Sequence, residues 1–326
     1  MADLARDSVA LSDLAELPKA ELHVHLEGAI RPSTLEELCA RSGLAIPRKF
    51  ANLPEFIEEY VLAWRVLDQP GDYARVIREY CEDAARCGVR YAEIEIAPGR
   101  RAYDHLAEAC EAALKQHDVV VRFVIGVGRT LPVEVGWRML ERMADLPGMV
   151  GIGLGGEEEG FPPEPFAELF AEGIRRGLRS TPHAGEVAGP ASIRGALDAL
   201  GAERIQHGIR AVEDVDLLAE IVRRRIALAV CPTSNVLLGA VATIERHPLR
   251  ALWDAGALVS IHTDDPGLFQ CDIVGEYAIA GRLLELDRAG YAQLALNSVE
   301  GSFAPDDLKA KLRAEIAGWL GARPPG

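Results

Sequence analysis

Short runs of β-branched and apolar residues recur along the whole chain, each followed by a longer stretch with helical periodicity. Eight runs read as strands: residues 20–28, 89–98, 119–127, 149–156, 179–186, 204–209, 226–235 and 257–266. Between them lie amphipathic segments such as DYARVIREYCEDAARCG. There Tyr73, Val76, Ile77, Tyr80, Ala84 and Cys87 share one helical stripe, and Gly88 stands where a C-terminal cap is expected. Strands that alternate with helices and are covered on both faces pair in parallel, so eight such units predict an α/β fold closed into a (β/α)8 TIM barrel.

The spacing is uneven. About 60 residues separate the first two strands, against about 25 to 30 for the later units, so extra helices are inserted after the first strand, at about residues 33–88. The segment PEFIEEYVLAWRVL (54–67) fits either a helix over the barrel mouth or an outer helix packed on its neighbours. No repeat, low-complexity tract or linker divides the chain, which reads as a single metal-dependent barrel domain over residues 1–326.

Composition leaves this picture in place and narrows the function. Hydrophobic residues make up 49% and charged residues 26% of the 326, which is ordinary for a globular protein. With 50 acidic against 35 basic residues the net charge is −15. The positive footprint that attracts nucleic acid or an anionic membrane surface is missing, which points to a small-molecule substrate. The stretch MADLARDSVALSDLAEL breaks every apolar run with acidic residues, so no signal peptide is expected, and no apolar run is long enough to span a bilayer. Cys39, Cys81, Cys87, Cys110, Cys231 and Cys271 form no C-x-x-C pair, which favours reduced thiols and a cytoplasmic location.

Candidate chemistry gathers at the C-terminal ends of the strands, where a barrel keeps its active site. In AELHVHLEGA, residues 20–29, His23 and His25 stand two positions apart and point to the same face of an extended chain. They end the first strand; His183 and Glu186 end the fifth, His207 the sixth, and Asp264 and Asp265 the eighth. His262 is left over in the last strand, and His105, His117 and His247 read as helix or loop residues. Three neutral imidazoles and one carboxylate make a nitrogen and oxygen site suited to Zn²⁺, with Fe²⁺ or Co²⁺ next in order. Such an ion lowers the pKa of water from near 16 toward ~7 and supplies hydroxide at neutral pH. Glu186 could then protonate a substrate nitrogen while hydroxide attacks the adjacent carbon, and His207 could orient or deprotonate the water.

The alternative for this architecture is a two-metal hydrolase bridged by a carbamylated lysine near the end of the fourth strand. No lysine stands there, and GIGLGGEEEG leaves only Glu157 as a bridging candidate. Gly151, Gly153 and Gly155 alternate along that strand and strip side chains from one face, leaving space and bare N–H groups for a flat ligand. Neither phosphate-loop glycine pattern occurs in the right context. A planar heterocycle suits the gap.

The segments HVHLEGAIRPSTL, HAGEVAGPASI, RIQHGIRAVED, CPTSNVLLG and SIHTDDPG, in this order over roughly residues 15–300, resemble the adenosine deaminase family of the amidohydrolase superfamily. The resemblance implies a (β/α)8 barrel with one zinc ion per chain on His23, His25, His183 and Asp264. It implies that Glu186 donates a proton to purine N1, and that His207 orients or activates the hydroxide beside Asp264. Asp265 would hydrogen-bond N7, the Gly156 N–H would meet N3, and His25 would border the substrate. Hydroxide adds at C6 and ammonia leaves, giving the 6-oxo purine. For Asp265 alone, a helix cap ahead of Pro266 is the other reading.

Many members that accept adenosine carry Asp where this chain has Glu27, a position associated with the ribose 5′-hydroxyl, and Asp where it has Gly153. Relatives with an H-x-H-L-E-G start include deaminases of free adenine and of 6-amino-6-deoxyfutalosine. The carboxyphenyl group of the latter calls for an arginine near the mouth, and Arg65, Arg100, Arg101 and Arg129 are the candidates. The expected activity is zinc-dependent hydrolytic deamination of a 6-aminopurine nucleoside, adenosine or aminodeoxyfutalosine, with adenine as an alternative substrate. A mononuclear amidohydrolase of amides, lactones or esters and a catalytically silent binding barrel are the competing readings.

Overall fold

The computed structural model describes residues 9–46, 50, 52–99, 103–115 and 118–322. Its strand segments are β1 (Lys19–His25), β2 (Val89–Ile96), β3 (Val120–Gly128), β4 (Met149–Gly155), β5 (Arg179–Ser180), β6 (His183–Ala184), β7 (Arg204–His207), β8 (Ala227–Val230) and β9 (Leu258–Ile261). β1 to β5 form one parallel sheet in chain order, and β6 to β9 another.

β5 and β6 are two halves of one stave, split at Thr181 and Pro182. Pro182 has no N–H to give the ladder, yet its carbonyl accepts from Gln206 N at 3.0 Å, and Thr181 N donates to Ile152 O at 3.0 Å. The ring closes through a parallel bridge from Val24 to Asp264. There His25 N donates to Asp264 O at 2.8 Å and Asp264 N donates to His23 O at 3.0 Å. Eight staves in a closed parallel ring are the predicted (β/α)8 barrel. The run read as a strand over 226–235 is shorter: β8 ends at Val230, and Pro232 opens the helix Pro232–Leu237, a position where its missing N–H costs nothing.

After the short 3₁₀ helix Glu27–Ala29, three α-helices among the described residues, Pro32–Ser42, Leu53–Arg65 and Asp72–Arg86, lie between β1 and β2. In the last, the predicted stripe of Tyr73, Val76, Ile77, Tyr80 and Ala84 is buried. Gly88 follows with φ +81°, and a Cβ there would stand 2.4 Å from Ala15 O, so both conformation and space require glycine. The helix Leu53–Arg65 is capped by Asn52, whose side chain accepts from Glu55 N at 3.0 Å. Leu53 and Phe56 pack with Leu238 and Phe269 in a small apolar cluster, and Tyr60 stands edge-on to His25 with ring centroids 6.2 Å apart. Of the two readings of this segment, the structure takes the helix over the barrel mouth.

The barrel interior one layer below the strand ends is charged. Arg204 and Glu93, both with fully buried side chains, pair at 2.7 Å, and the guanidinium lies 4.3 Å from the Phe303 ring centre. Removing either partner would strand a buried charge, at about 3–5 kcal/mol. Glu95, two residues on, shares that inward face of β2. Among the described residues no helix is long and apolar enough to cross a membrane, and the six cysteines are free.

Candidate active site

His23 and His25 come from the end of β1, His183 from β6, and Asp264 from the turn after β9. The Nε2 atoms of His23 and His25 lie 3.1 and 3.2 Å from His183 Nε2 and 3.2 and 3.1 Å from Asp264 Oδ1. Asp264 and His207 both take left-handed backbone conformations, with φ of 65° and 64°. Such conformations cost of order 1–3 kcal/mol each in non-glycine residues and persist only where neighbours over-determine them. Ser234 Oγ donates to Asp264 Oδ2 at 2.6 Å, and the barrel-closing ladder holds the Asp264 backbone.

These four residues fit a metal ion. His23 Nδ1 lies 3.0 Å from Ala229 O, and His183 Nδ1 lies 3.1 Å from Leu154 O. A carbonyl can only accept, so in each neutral ring Nδ1 carries the proton and Nε2 keeps a lone pair. Two lone pairs facing each other at 3.1 Å beside a carboxylate repel. A cation between them turns that repulsion into coordination, with the carbonyls fixing the ring orientation from behind. A second group, His23, His207, Cys231 and Asp264, also converges. Burial pushes the Cys231 thiol well above its ordinary pKa, and a thiol that keeps its proton is a poor ligand.

Glu186 is buried, with Oε2 3.5 Å from His207 Nε2 and Oε1 without a partner. Burial, followed by the Asp264 and Glu158 carboxylates, pushes its pKa well above the usual range, with Arg129 pulling the other way. The carboxyl is therefore inclined to hold a proton. Asp265 Oδ1 is likewise buried without a partner, and burial and Asp264 push its pKa up. Gly28 makes its room, since a Cβ there would fall 1.7 Å from Asp265 Oδ1. Asp265 makes no side-chain cap to the helix Pro266–Phe269. Gly156, at φ +97°, follows β4 at the same rim.

Several residues stand differently from the sequence reading. The glycines of β4 do not leave an open gap. At Gly153 the carboxylate of Glu95 fills it, a Cβ there lying 2.6 Å from Glu95 Oε2, while a Cβ on Gly151 would meet Arg179 O at 3.0 Å and one on Gly155 the His183 ring at 3.4 Å. Glu95 Oε1 is 3.8 Å from His25 Nδ1, Oε2 has no partner, and burial raises the pKa of this carboxyl. Glu27 is fully buried with both oxygens engaged, by Tyr60 Oη at 3.0 Å, Tyr73 Oη at 3.3 Å and Ala97 N at 3.1 Å.

Arg129 stands at the rim, after β3 and beside Gly156, but it is buried and its guanidinium is engaged with backbone, donating to Phe161 O at 3.2 Å and to His183 O. Arg65 is exposed at the end of its helix, and Arg100, Arg101 and His117 lie outside the described residues. His105 sits on the helix Tyr103–Ala113 and His247 in the loop between Ile244–Arg246 and Leu249–Asp254, both as read, and His247 is buried. Glu157 is outside the metal group and lines the outer cavity.

Sequence reasoning missed Glu158. Its carboxylate accepts from Gly185 N at 2.5 Å, Glu186 N at 3.0 Å, Val187 N at 2.9 Å and Ala188 N at 2.9 Å, clamping the loop that carries Glu186. The only signal was an acidic run, GEEEG, which usually means a solvated loop. A cavity of about 660 Å³ is walled by Val187, Ile209, Leu238 and Val241 and carries Glu157, Glu159, Glu213, Arg210 and Arg246 in its lining.

A family model described as adenosine deaminase matches residues 18–319. An aminodeoxyfutalosine deaminase of Streptomyces avermitilis is 40% identical over 95% of this chain and 94% of its own. The crystal structure of an adenine deaminase from Arthrobacter aurescens superposes with a TM-score of 0.88 at 32% identity, covering 94% of this chain and 100% of that one. An amidohydrolase from Burkholderia ambifaria, solved with bound Zn, gives a TM-score of 0.84 at 28% identity over 98% of this chain and 95% of its own. With the whole barrel and its histidine and aspartate cluster inside these matches, the chain belongs to the adenosine deaminase family, hydrolases that cleave the exocyclic C–N bond of an aminopurine.

Proposed function

We propose that this chain is a zinc-dependent hydrolytic deaminase of 6-aminopurine nucleosides. Aminodeoxyfutalosine, converted to futalosine, is the leading substrate, and adenosine, converted to inosine, the next. The observation that carries the reading is the convergence of His23, His25, His183 and Asp264 beside a buried Glu186 with one free oxygen. One zinc ion on those four ligands would supply water acidified toward neutral pH.

The chain's own residues do the rest. Glu186 gives its proton to purine N1, which makes C6 electrophilic, and His207 Nε2 orients the attacking water. Asp265, its pKa raised, keeps a proton to donate to N7, and the Gly156 N–H donates to N3. Of the two protons of the attacking water, one returns to the Glu186 carboxylate and the other passes to the amino nitrogen, which leaves C6 as ammonia with the C–N electron pair. Glu27 acts on the sugar end through the Tyr60 hydroxyl that it holds. The chain works as one domain over residues 1–326, the insertion at about 33–88 supplying the cover over the mouth. Free cysteines support a reducing, cytoplasmic setting.

One observation favours aminodeoxyfutalosine over adenosine: the Streptomyces avermitilis relative is an aminodeoxyfutalosine deaminase. The charge of the 660 Å³ cavity does not make that choice, because Arg210 and Arg246 share its lining with Glu157, Glu159 and Glu213. Free adenine is the second reading, supported by the likeness to the Arthrobacter aurescens enzyme. The test is Glu186→Gln. It is expected to keep metal and bind the 6-oxo product while turnover falls about 10²- to 10⁴-fold. Near-normal kcat would remove Glu186 as the proton donor.

A further inference from the structure

A hydrogen-bond chain reaches the site from the crossover between β8 and β9. Leu249 N donates to His247 Nδ1 at 3.1 Å. His247 Nε2 lies 3.1 Å from Asn235 Oδ1, and Asn235 Nδ2 lies 3.1 Å from His207 Nδ1. All three side chains are buried.

This chain runs in one direction only. A backbone N–H must donate, so His247 Nδ1 accepts, and its neutral ring keeps the proton on Nε2. A protonated His247 would set two donors against each other at Leu249. The Nε2 proton needs an acceptor, which fixes Asn235 with Oδ1 toward His247 and its NH₂ toward His207. The flipped amide would again oppose two donors. His207 Nδ1 therefore accepts, and the neutral His207 ring carries its proton on Nε2, 3.5 Å from Glu186 Oε2 and 3.8 Å from Asp264 Oδ2. Burial favours the neutral form of the His247 ring.

We propose that Asn235 and His247 are positioning residues that set the tautomer of His207, so that its Nε2 meets the attacking water as an N–H donor and not as a base. The catalytic half of this inference rests on the reading of His207 given above, and it chooses between the two roles, orienting and deprotonating, that the sequence left open. It also separates His207 from the metal group. His23 and His183 donate through Nδ1 to carbonyls and offer lone pairs at Nε2; His207 accepts at Nδ1 and has none to offer there. Opposite partners give the same side chain opposite tautomers.

The test uses full-length, metal-loaded enzyme with ¹⁵N-labelled histidine rings. The ¹⁵N shifts are expected to show His207 protonated on Nε2 and His23 and His183 on Nδ1. Asn235→Asp puts an acceptor where the donor was. It is expected to move the His207 proton to Nδ1 and to lower kcat about 10- to 10³-fold, with KM and metal per chain within about 3-fold of wild type. Should that variant fail to fold, Asn235→Leu removes the donor without adding charge and is expected to lower kcat in the same way.

His247→Gln can still donate to Asn235 Oδ1 and is expected to hold kcat within about 3-fold, whereas His247→Leu is expected to lose it as Asn235→Asp does. A wild-type His207 protonated on Nδ1, or an Asn235→Asp enzyme with unchanged tautomer and kcat, overturns the proposal. Full kcat in His207→Ala overturns the role of His207 itself and the catalytic half of the proposal with it. The tautomer measurement reports on the other half independently.

Discussion

The carboxylate of Glu95 on β2 occupies the volume that a side chain on Gly153 of β4 would need, since a Cβ there would stand 2.6 Å from Glu95 Oε2. Gly126 on the intervening β3 clears the same group, its own Cβ falling 2.7 Å from Oε1. The two positions are coupled across one strand. Gly153→Ala is expected to destabilise the fold by about 1–3 kcal/mol through overpacking. Adding Glu95→Gly should recover most of that. Urea unfolding of the two single variants and the double measures it, and strictly additive effects would contradict the shared volume.

Glu158 should matter to turnover although it reaches no substrate. Glu158→Gln replaces a carboxylate that accepts four N–H bonds by an amide with a single oxygen. At least one buried N–H on the Glu186 loop then goes unmet, at about 1–3 kcal/mol. Misplacing Glu186 is expected to lower kcat about 10- to 10²-fold with metal per chain unchanged. Steady-state kinetics with metal analysis checks this, and an unaltered kcat would release Glu158 from the role.

The pH profile follows from the raised pKa of Glu186. Only the protonated carboxyl can serve N1, so kcat/KM is expected to fall on the alkaline side as pH rises through that raised value. Stability moves in the same sense. The folded carboxyl keeps a proton that the unfolded chain, with its ordinary pKa of 4.5, has given up. The group's contribution is therefore full below about 4.5 and is lost as pH rises through the folded value. Glu158→Gln removes one of the charges that push this pKa up, and the alkaline limb is expected to move to lower pH. A limb that stays in place or moves up would contradict the cause assigned.

Metal removal should cost both activity and stability, because lone pairs on His23 and His183 then face each other uncompensated. Binding at a hundredfold excess over Kd is worth about 2.7 kcal/mol, so chelation is expected to lower Tm and zinc to restore it. Asp264→Ala should carry well under one metal per chain. Full occupancy in that variant, by elemental analysis, would remove Asp264 from the ligand set.

The part of the site legible in the sequence is the part built on strand ends. His23, His25, His183, His207 and Asp264 were readable because strand periodicity and barrel architecture together say where such residues point. The residues that escaped act between staves. Glu95 looked like one more strand position, and only the register of β2, β3 and β4 brings it against Gly126 and Gly153. Glu158 looked solvated because the turn that aims it at residues 185–188 depends on the neighbouring stave. His247 read as a loop residue, yet the crossover buries it against Asn235. Periodicity reports which face a residue takes, and carries no information on which distant backbone N–H or carbonyl awaits it there.

The central claim is tested most directly by ammonia release from metal-loaded enzyme given aminodeoxyfutalosine, adenosine, 2′-deoxyadenosine, adenosine 5′-monophosphate and adenine in parallel. The account predicts kcat/KM of about 10⁴ M⁻¹s⁻¹ or more for a 6-aminopurine nucleoside, with aminodeoxyfutalosine first and free adenine well behind. No ammonia from any of the five would contradict the deaminase, and adenine in first place would contradict the nucleoside.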